Sequence, residues 1–182
     1  LLNIPLAHIS GGEITEGAID DQIRHAATKM SHFHFVANKE YFRRVINLGE
    51  EKWRVCESGE PGLDSFKKIK ILPLKELSRY VGLDLKKTTA LVTFHSVTME
   101  LKNLSVYIDE LINAIDKINI QYLITYPSPD PGSEKIINKF NRYINNKKNI
   151  VFIKSLGQIK YLSALYHCEL MIGNSSSGLV ES

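Results

Sequence analysis

The sequence predicts an α/β protein with parallel sheets. Apolar runs of four or five residues, such as 90–94 and 150–153, alternate with segments such as 99–117 whose apolar residues recur at helical spacing. A continuous apolar run is typical of a strand covered on both faces, and the helices between such strands supply the cover. Polar residues follow each run, so the runs also predict where ligand-binding loops begin.

The first part of the chain contains three short predicted strands and two predicted helices. The first strand ends at two glycines, which allow a tight turn and a close approach to the backbone. Asn38 is the expected N-cap of the second helix. The predicted elements are a buried strand at 4–9, a helix at 19–30, a strand at 33–37, a helix from Asn38 to Ile46 and a strand at 53–56.

A glycine- and proline-rich break at 57–62 separates these elements from the rest of the chain. Two short polar helices and a linker are predicted for 63–87, with Pro73 at a helix start. Because composition shifts there, the expected division is a first domain at 1–62, a boundary region at 63–88 and a second domain at 89–182.

The remaining residues alternate regularly between strands and helices. In a doubly wound parallel sheet, the loops that follow the strands converge on one edge, so these loops could line a single site. The predicted strands are 90–94, 122–125, 150–153 and 169–172, and the predicted helices are 99–117, 133–144 and 156–166. The polar loops after the strands are 95–96, 126–130, Ser155 and 173–178.

Composition and charge narrow the classes of function. The 182 residues are 43% hydrophobic and 24% charged, which is ordinary for a globular protein. The net charge of +3 comes from scattered basic residues, which argues against a nucleic-acid partner. No apolar run approaches the roughly 20 residues that cross a bilayer, so we expect no membrane partner.

The sequence offers no familiar metal site. His25, His32 and His34 are close together, but no cysteine or carboxylate completes a zinc ligand set, so we favour structural or pocket-lining roles. Cys56 and Cys168 have neither metal-ligand spacing nor the pattern of a disulfide framework. We therefore expect no metal, no cofactor and a reducing, cytoplasmic location.

Ionisable residues gather just after the first predicted strand. Asp20 and Arg24 are four residues apart, so on a helix they share one face and could form an ion pair, with Glu13 nearby. Such a group is typical of ligand sites at the carboxyl ends of strands. The alternative is a solvated helix start whose carboxylates complement the helix dipole. Further candidates for lining the same site are His8, Asp21 and His25.

The loop 173–178, Gly-Asn-Ser-Ser-Ser-Gly, follows one predicted strand and opens a helix. Free backbone amides, small side chains and hydroxyl groups suit a phosphate oxyanion. The spacing is not that of a Walker A loop, and no lysine follows it. The alternative is a serine-rich turn that caps a helix. His95, after another strand, could donate to a phosphate or transfer a proton, although a histidine there is often structural.

Several motifs follow one another along nearly the whole chain. They are His8-Ile9-Ser10-Gly11-Gly12-Glu13 with Gly17, Asp20, Asp21 and Arg24-His25; Lys29-Met30-Ser31-His32-Phe33-His34; Gly59-Glu60-Pro61; Thr93-Phe94-His95-Ser96-Val97-Thr98; Tyr126-Pro127-Ser128-Pro129-Asp130; and the serine loop with Glu181. In identity and order they resemble the UDP-N-acetylglucosamine 2-epimerase family, and most closely its hydrolysing branch, which starts the synthesis of sialic acid and related nonulosonic acids, including those of bacterial cell-surface polysaccharides.

The resemblance implies a GT-B-like fold, in which two Rossmann-like domains face each other across a cleft. It also implies that the chain is an internal segment, which contains the end of the first domain and most of the second. The chain opens without Met inside a predicted strand, in keeping with this expectation. We therefore expect the segment by itself to be inactive, and the protein to be a homo-oligomer.

The resemblance also implies a reaction. Hydrolysing members convert UDP-N-acetylglucosamine and water to N-acetylmannosamine and UDP, by elimination to a glycal and then hydration. The scheme needs a base at C2, an acid on the other face and stabilisation of the departing diphosphate. By the resemblance the catalytic residues are Asp20, Glu13, His95 and Arg24, the UDP-binding residues are His95, Ser175, Ser176, Ser177, Gly178 and Glu181, and further lining residues are Ser128, Asp130 and Ser155.

Several alternatives remain open. Related branches carry a glutamate where this chain has Ser10, which leaves open which carboxylate is the second acid. The substrate could instead be a UDP-diacetamido-trideoxyhexose, or the enzyme a non-hydrolysing 2-epimerase. A GT-B glycosyltransferase would use the same nucleotide side, but the acidic cluster fits elimination better. A non-catalytic UDP-sugar-binding module would keep the serine loop and lose the acid/base pair, whereas Asp20 and Glu13 are present.

Overall fold

Parallel sheets form the centre of both parts of the chain. The computed structural model describes residues 4–15 and 19–180, and the chain divides into two compact units, Leu1–Lys68 and Ile69–Ser182. Every strand pairing described in the two units is parallel, which confirms the predicted α/β class. Gly17 and Glu181, which belong to the motifs above, lie outside the described residues.

Unit 1 is a three-stranded sheet with helices in its connections. Its strands β1 (Ala7–Ile9), β2 (Phe33–Val36) and β3 (Val55–Glu57) lie in the order β1-β2-β3, and its helices are α1 (Asp20–Met30), α2 (Lys39–Asn47) and α3 (Pro61–Lys68). The register sets His8 opposite His34, and His34 opposite Val55. These three residues therefore share one face of the sheet, the face on which α2 contributes Val45 to the core.

Asn38 begins α2 as predicted. Its Oδ1 accepts hydrogen bonds from the backbone amides of Glu40 and Tyr41, both at 3.0 Å. These two amides have no partner inside the helix, so the cap satisfies them. The asparagine in the local sequence was therefore sufficient to predict where α2 begins.

The first strand differs from the prediction. The structure limits it to Ala7–Ile9, and it is not buried, since the Ile9 side chain is 57% exposed. Among the described residues β1 pairs only with β2, and Ile9 shares its face with Phe33 and Phe35, which are also exposed. An apolar run alone does not distinguish an edge strand from a central one.

Unit 2 is a four-stranded sheet with helices on both faces. Its strands are β4 (Thr89–Thr93), β5 (Gln121–Thr125), β6 (Ile150–Ile153) and β7 (Leu170–Gly173), in the order β6-β5-β4-β7. Its helices are α4 (Leu74–Val81), α5 (Leu104–Lys117), α6 (Ser133–Tyr143), α7 (Gly157–His167) and α8 (Ser177–Val180). A 3₁₀ turn at Thr98–Glu100 precedes α5, so that helix begins later than predicted.

Neighbouring residues of the central strands β4 and β5 point into two separate cores. One core contains Val92, Ile124, Ile108 and Phe140, and the other contains Leu91, Leu123, Leu77 and Ala164. Residues 69–88, which lie in the region predicted to contain two short polar helices and a linker, contribute Leu77, Val81, Leu83 and Leu85 to the second core. Their apolar side chains lie along α4 and the turn after it, and so cover one face of the sheet.

In the part of the chain that the structure describes, the last strand, β7, pairs only with β4 and so lies at the edge of its sheet. Leu170 is 49% exposed, whereas the prediction was a buried strand. Its position beside β4 brings the serine loop next to the loop that carries His95. Within the described residues, no helix is long and apolar enough to span a bilayer.

Candidate active site

Arg24 is the centre of the polar cluster in unit 1. One guanidinium nitrogen, Nη1, donates to the Glu13 carbonyl oxygen at 3.2 Å, to Thr15 Oγ1 at 3.2 Å and to Asp21 Oδ1 at 3.5 Å. The other, Nη2, lies 3.8 Å from Glu13 Oε2. Arg24 therefore ties the loop after β1 to the first turn of α1.

Within α1, the carboxylate that pairs with Arg24 is Asp21. The expected pairing was with Asp20, four residues away, but Asp20 is exposed at the helix start. Asp21 Oδ1 also accepts a 2.8 Å hydrogen bond from the backbone amide of Thr15. The returning loop thus selects the i,i+3 pair over the i,i+4 pair, although both spacings lie on one face of a helix.

The surroundings of the Glu13 carboxyl group shift its pKa. Partial burial raises its pKa above the usual glutamate value, the nearby Arg24 guanidinium opposes that rise, and Glu60 adds to it. A carboxyl group with a raised pKa holds its proton more readily, which is the property that a general acid needs.

His8 and Thr28 join β1 to α1. Thr28 is fully buried; its hydroxyl lies 3.0 Å from the Arg24 carbonyl oxygen and 3.0 Å from His8 Nδ1. A hydroxyl has one proton, so both contacts are hydrogen bonds only if Thr28 donates to the carbonyl and His8 Nδ1–H donates to Thr28. Burial, with His34 and Arg24 nearby, lowers the pKa of His8. Neutral His8 then carries its lone pair on Nε2.

The second glycine of the Gly11-Gly12 pair is required by packing. Gly12 has φ +80°, and a Cβ atom there would lie 2.5 Å from the backbone oxygen of Tyr41. Arg44 Nη1 donates to the Gly12 carbonyl oxygen at 3.2 Å. The loop that carries Glu13 is therefore held against α2 as well as α1.

The three histidines that could have suggested zinc have separate surroundings. His32 Nδ1 accepts a hydrogen bond from the Leu6 amide at 3.1 Å, and fully buried His34 lies 3.2 Å, through Nε2, from Glu50 Oε2. The Nδ1 atom of His25 is buried and has no hydrogen-bond partner among the described residues. Across those residues, no three His, Cys, Asp or Glu side chains form a group that could hold a metal ion.

In unit 2, the loops after β4, β5 and β7 meet at His95. The His95 amide donates to Asn174 Oδ1 at 2.8 Å, and Asn174 Nδ2 donates to the His95 carbonyl oxygen at 2.9 Å. The Ser128 amide donates to His95 Nδ1 at 3.0 Å, and Ser128 Oγ is also 3.0 Å from that atom. Three of the four predicted loops therefore converge, as the parallel sheet requires.

Asp130 lies near the His95 imidazole, whereas the described contact of Ser155 is with its own loop. Burial lowers the pKa of His95, and the exposed Asp130 carboxylate opposes that effect, so Asp130 is close enough to influence the imidazole. Ser155 is exposed, and its hydroxyl accepts a hydrogen bond from the Gly157 amide at 3.2 Å. The described contact of Ser155 is thus local, at the start of α7.

The serine loop has its own hydrogen bonds. Ser175 Oγ lies 2.9 Å from Ser177 Oγ, which also contacts the Tyr161 hydroxyl, and the Gly178 amide donates to the Ser175 carbonyl oxygen at 3.2 Å. Ser176 is exposed. The three serines thus differ, since the hydroxyl groups of Ser175 and Ser177 contact each other whereas Ser176 is an exposed residue.

Gly173 places this loop directly against β4. It has φ +144°, and a Cβ atom there would lie 1.8 Å from the Thr93 carbonyl oxygen. Only glycine allows such an approach.

Thr28 and Asn174 were not singled out from the sequence as positioning residues. The available signals were that Thr28 lies one helical turn after Arg24 and that Asn174 directly follows this glycine.

The profile of the UDP-N-acetylglucosamine 2-epimerase family matches residues 1–182, the whole chain. The chain belongs to this family. It spans about half the length of the curated relatives that it matches, because the alignments cover 48% of each of the two relatives described next.

Three relatives show what the family includes. The chain is 38% identical, over its full length, to a GDP/UDP-N,N'-diacetylbacillosamine 2-epimerase (hydrolysing) of Campylobacter jejuni. It is 33% identical, also over its full length, to a UDP-N,N'-diacetylbacillosamine 2-epimerase (hydrolysing) of Legionella pneumophila. It is 32% identical to a UDP-N-acetylglucosamine 2-epimerase of Neisseria meningitidis, over 97% of the chain and 46% of the relative.

Solved structures of the family have the same fold. A UDP-GlcNAc 2-epimerase of Methanocaldococcus jannaschii, in complex with UDP-GlcNAc and UDP, matches with a TM-score of 0.73 at 17% identity, over 96% of the chain and 49% of that structure. The Rickettsia bellii enzyme matches with a TM-score of 0.70 at 20% identity, over 98% of the chain and 47% of that structure. These likenesses confirm the GT-B-like fold class predicted for this UDP-N-acetylglucosamine 2-epimerase family member.

Proposed function

We propose that the full-length protein is a hydrolysing 2-epimerase of a UDP-linked 2-acetamido sugar. The observation that carries the proposal is the convergence of the loops after β4, β5 and β7 on His95. Family membership and two relatives named as hydrolysing 2-epimerases support it. Unit 2 would bind the nucleotide, and unit 1 would supply the acid and base.

The proposed reaction has two steps. A base removes the C2 proton while the C1–O bond breaks, which releases UDP and leaves a 2-acetamidoglycal. Water then adds its hydroxyl to C1, and an acid delivers a proton to the opposite face of C2. With UDP-N-acetylglucosamine as the substrate, the products are N-acetylmannosamine and UDP.

We assign the proton transfers to Asp20 and Glu13. Asp20 is exposed at the start of α1, whereas Asp21 is held by Thr15 and Arg24. Glu13 has a raised pKa and so suits the acid. Arg24 orients the Glu13 loop through its bond to the Glu13 carbonyl oxygen.

We assign UDP binding to residues of unit 2. The imidazole of His95 and the exposed hydroxyl of Ser176 are neutral donors suited to phosphate oxygens. The remaining members of the proposed UDP site are Ser175, Ser177, Gly178 and Glu181, with Ser128 and Asp130 beside His95.

A second candidate substrate is UDP-N,N'-diacetylbacillosamine. The Campylobacter jejuni and Legionella pneumophila relatives, at 38% and 33% identity, both carry this sugar in their names. The chemistry at C1 and C2 is the same, so the roles proposed above apply to either sugar.

With either substrate, we propose that the protein is a cytoplasmic homo-oligomer and that its product serves nonulosonic acid synthesis.

The reaction can be tested with the purified full-length protein in deuterium oxide, using both UDP-sugars in parallel. We expect free UDP and a free 2-epimerised sugar that carries one deuterium at C2, detected by mass spectrometry. A UDP-linked product would indicate a non-hydrolysing epimerase, and transfer to an acceptor sugar would indicate a glycosyltransferase.

Calorimetry tests the proposed nucleotide site. It should show that UDP binds more tightly than ADP or phosphate; equal binding of all three would refute the proposed nucleotide site.

A further inference from the structure

The hydrogen bonds of His95 determine which of its ring nitrogens carries the proton. Its Nδ1 atom lies 3.0 Å from the Ser128 backbone amide. A backbone amide can only donate, so Nδ1 must be the acceptor. The neutral imidazole therefore carries its single proton on Nε2.

The Ser128 hydroxyl strengthens this assignment. Its Oγ atom is 3.0 Å from the same Nδ1, and it can donate there as well. A charged imidazolium would carry a proton on Nδ1, directed at the Ser128 amide. Burial also lowers the pKa of His95, while the Asp130 carboxylate acts in the opposite direction.

Asn174 holds the backbone of His95. Its side-chain amide bonds both the amide and the carbonyl group of His95, at 2.8 and 2.9 Å. The backbone of His95 is thus fixed to the loop after β7, while its ring is fixed to the loop after β5. The Nε2–H group is the ring's remaining polar group and can only donate.

We propose that Ser128 is a positioning residue that holds His95 as the neutral Nε2–H tautomer, so that His95 donates a hydrogen bond to an oxygen of the departing diphosphate and transfers no proton. This inference rests on the proposed function for its ligand. It assigns all proton transfer to unit 1, where His8 has the opposite tautomer, with the lone pair on Nε2.

The tautomer can be measured without any ligand. In the full-length protein labelled with nitrogen-15 at histidine, two-bond proton–nitrogen correlation spectra distinguish a protonated from an unprotonated ring nitrogen. We expect His95, assigned by its loss in His95→Gln, to have an unprotonated Nδ1 and a protonated Nε2 at neutral pH. A protonated Nδ1, or averaging between the two tautomers, would overturn the proposal.

Two substitutions of His95 separate donation from proton transfer. The amide nitrogen of His95→Gln can take the place of Nε2–H, whereas the shorter side chain of His95→Asn reaches only the place of Nδ1. We expect His95→Gln to keep UDP affinity and kcat within about 10-fold, and His95→Asn to lose about 10- to 100-fold in UDP affinity. Equal loss of kcat by about 100-fold or more in both variants would indicate proton transfer and overturn the proposal.

Substitutions at Ser128 test its positioning role. Ser128→Pro removes the amide hydrogen, and the backbone before Pro129 already favours the extended region that proline can adopt. We expect mixed His95 tautomers in Ser128→Pro and a single tautomer in Ser128→Ala, which keeps the amide. Ser128→Ala is thus the matched control, because it removes the hydroxyl group alone. An unchanged tautomer in a folded Ser128→Pro protein would remove Ser128 from this role.

The measured tautomer of His95 and the measured binding of UDP can fail independently of each other. If the tautomer is as expected and the protein still binds no UDP, the proposed function fails and so does the donor role of His95. If UDP binds and is released from the sugar, but Nδ1 is protonated, only the present inference fails. The expected tautomer together with retained affinity in His95→Gln supports both.

Discussion

The Thr28 hydroxyl lies 3.0 Å from His8 Nδ1 and 3.0 Å from the Arg24 carbonyl oxygen. One buried side chain thus links the end of β1 to the turn of α1 that carries Arg24. Removal of the hydroxyl would leave the Nδ1–H group of His8 without this partner, in a place where water has little access.

The first prediction concerns this link. Thr28→Val keeps the shape of the side chain and removes its hydroxyl, so we expect the free energy of unfolding to fall by about 1–3 kcal/mol. Thr28→Ser, which keeps the hydroxyl, is the matched control. Urea unfolding of both variants measures the difference; equal stability would show that the hydroxyl contributes nothing.

The second prediction separates two adjacent carboxylates. Asp20→Asn keeps the shape of the side chain and removes its capacity for proton transfer, so we expect kcat to fall by about 100-fold or more with little change in UDP affinity. Asp64→Asn, an exposed substitution on α3, is the control. Near-normal turnover by Asp20→Asn would leave Asp20 as a first-turn carboxylate that only complements the helix dipole.

Asp21→Asn should behave differently, because Asp21 holds Arg24 and the Thr15 amide. We expect a lower melting temperature together with a loss of activity. The loss of activity should be accompanied by weaker order of the Glu13 loop, measured as faster amide hydrogen exchange. Unchanged exchange in that loop would contradict the positioning role of Asp21.

The third prediction is a dependence of stability on pH. Glu50 has a lowered pKa because Lys29 donates a hydrogen bond to its carboxylate; burial opposes the shift, and His34 adds to it. The folded state therefore binds the Glu50 proton less readily than the unfolded chain. The contribution of Glu50 to stability is complete above the ordinary glutamate pKa and is lost as pH falls through the lowered value.

Glu50→Gln should accordingly be less stable than the wild type at neutral pH and should lose less stability below about pH 5. Thermal melting across the acid range measures both effects. Glu51→Gln, which removes an exposed carboxylate beside Arg54, is the matched control. If Glu50→Gln and the wild type showed parallel acid limbs, the Lys29–Glu50–His34 group would not be responsible.

The fourth prediction concerns Gly173. In Gly173→Ala the new Cβ atom would meet the Thr93 carbonyl oxygen, so β4 and β7 would have to separate. We expect a loss of stability of about 3 kcal/mol or more and weaker UDP binding. Gly82→Ala also has a positive φ but has open space around its Cβ position, so it should cost only about 1–2 kcal/mol. Equal losses in the two variants would argue against the close contact.

The elements that could be predicted from the sequence are those with local causes. Asn38 was recognisable as an N-cap because the amides that it satisfies lie two and three residues away. The two faces of the unit 2 sheet were recognisable because its central strands are continuously apolar. The exposure of Ile9 depends on which strands pair with β1, and among the described residues that is β2 alone.

The convergence of the polar loops could be predicted from the sequence, whereas the hydrogen-bond partners of their residues could not. Polar residues after each strand indicated the loops, but Asn174 and His95 are 79 residues apart in sequence, so their bonds depend on the order of strands in the sheet. The partner of Arg24 depended on where the loop after β1 returns to α1. The sequence contains no direct signal for either relation.

The bonds from Asn174 to position 95 use only main-chain atoms of that position. They do not depend on which side chain is present there, provided that the residue is not proline, which lacks the amide hydrogen. The side chain at position 95 can therefore be exchanged, during evolution or by design, without loss of the attachment between these two loops. An engineer could vary the group offered to the ligand at this point while the surrounding framework stays in place.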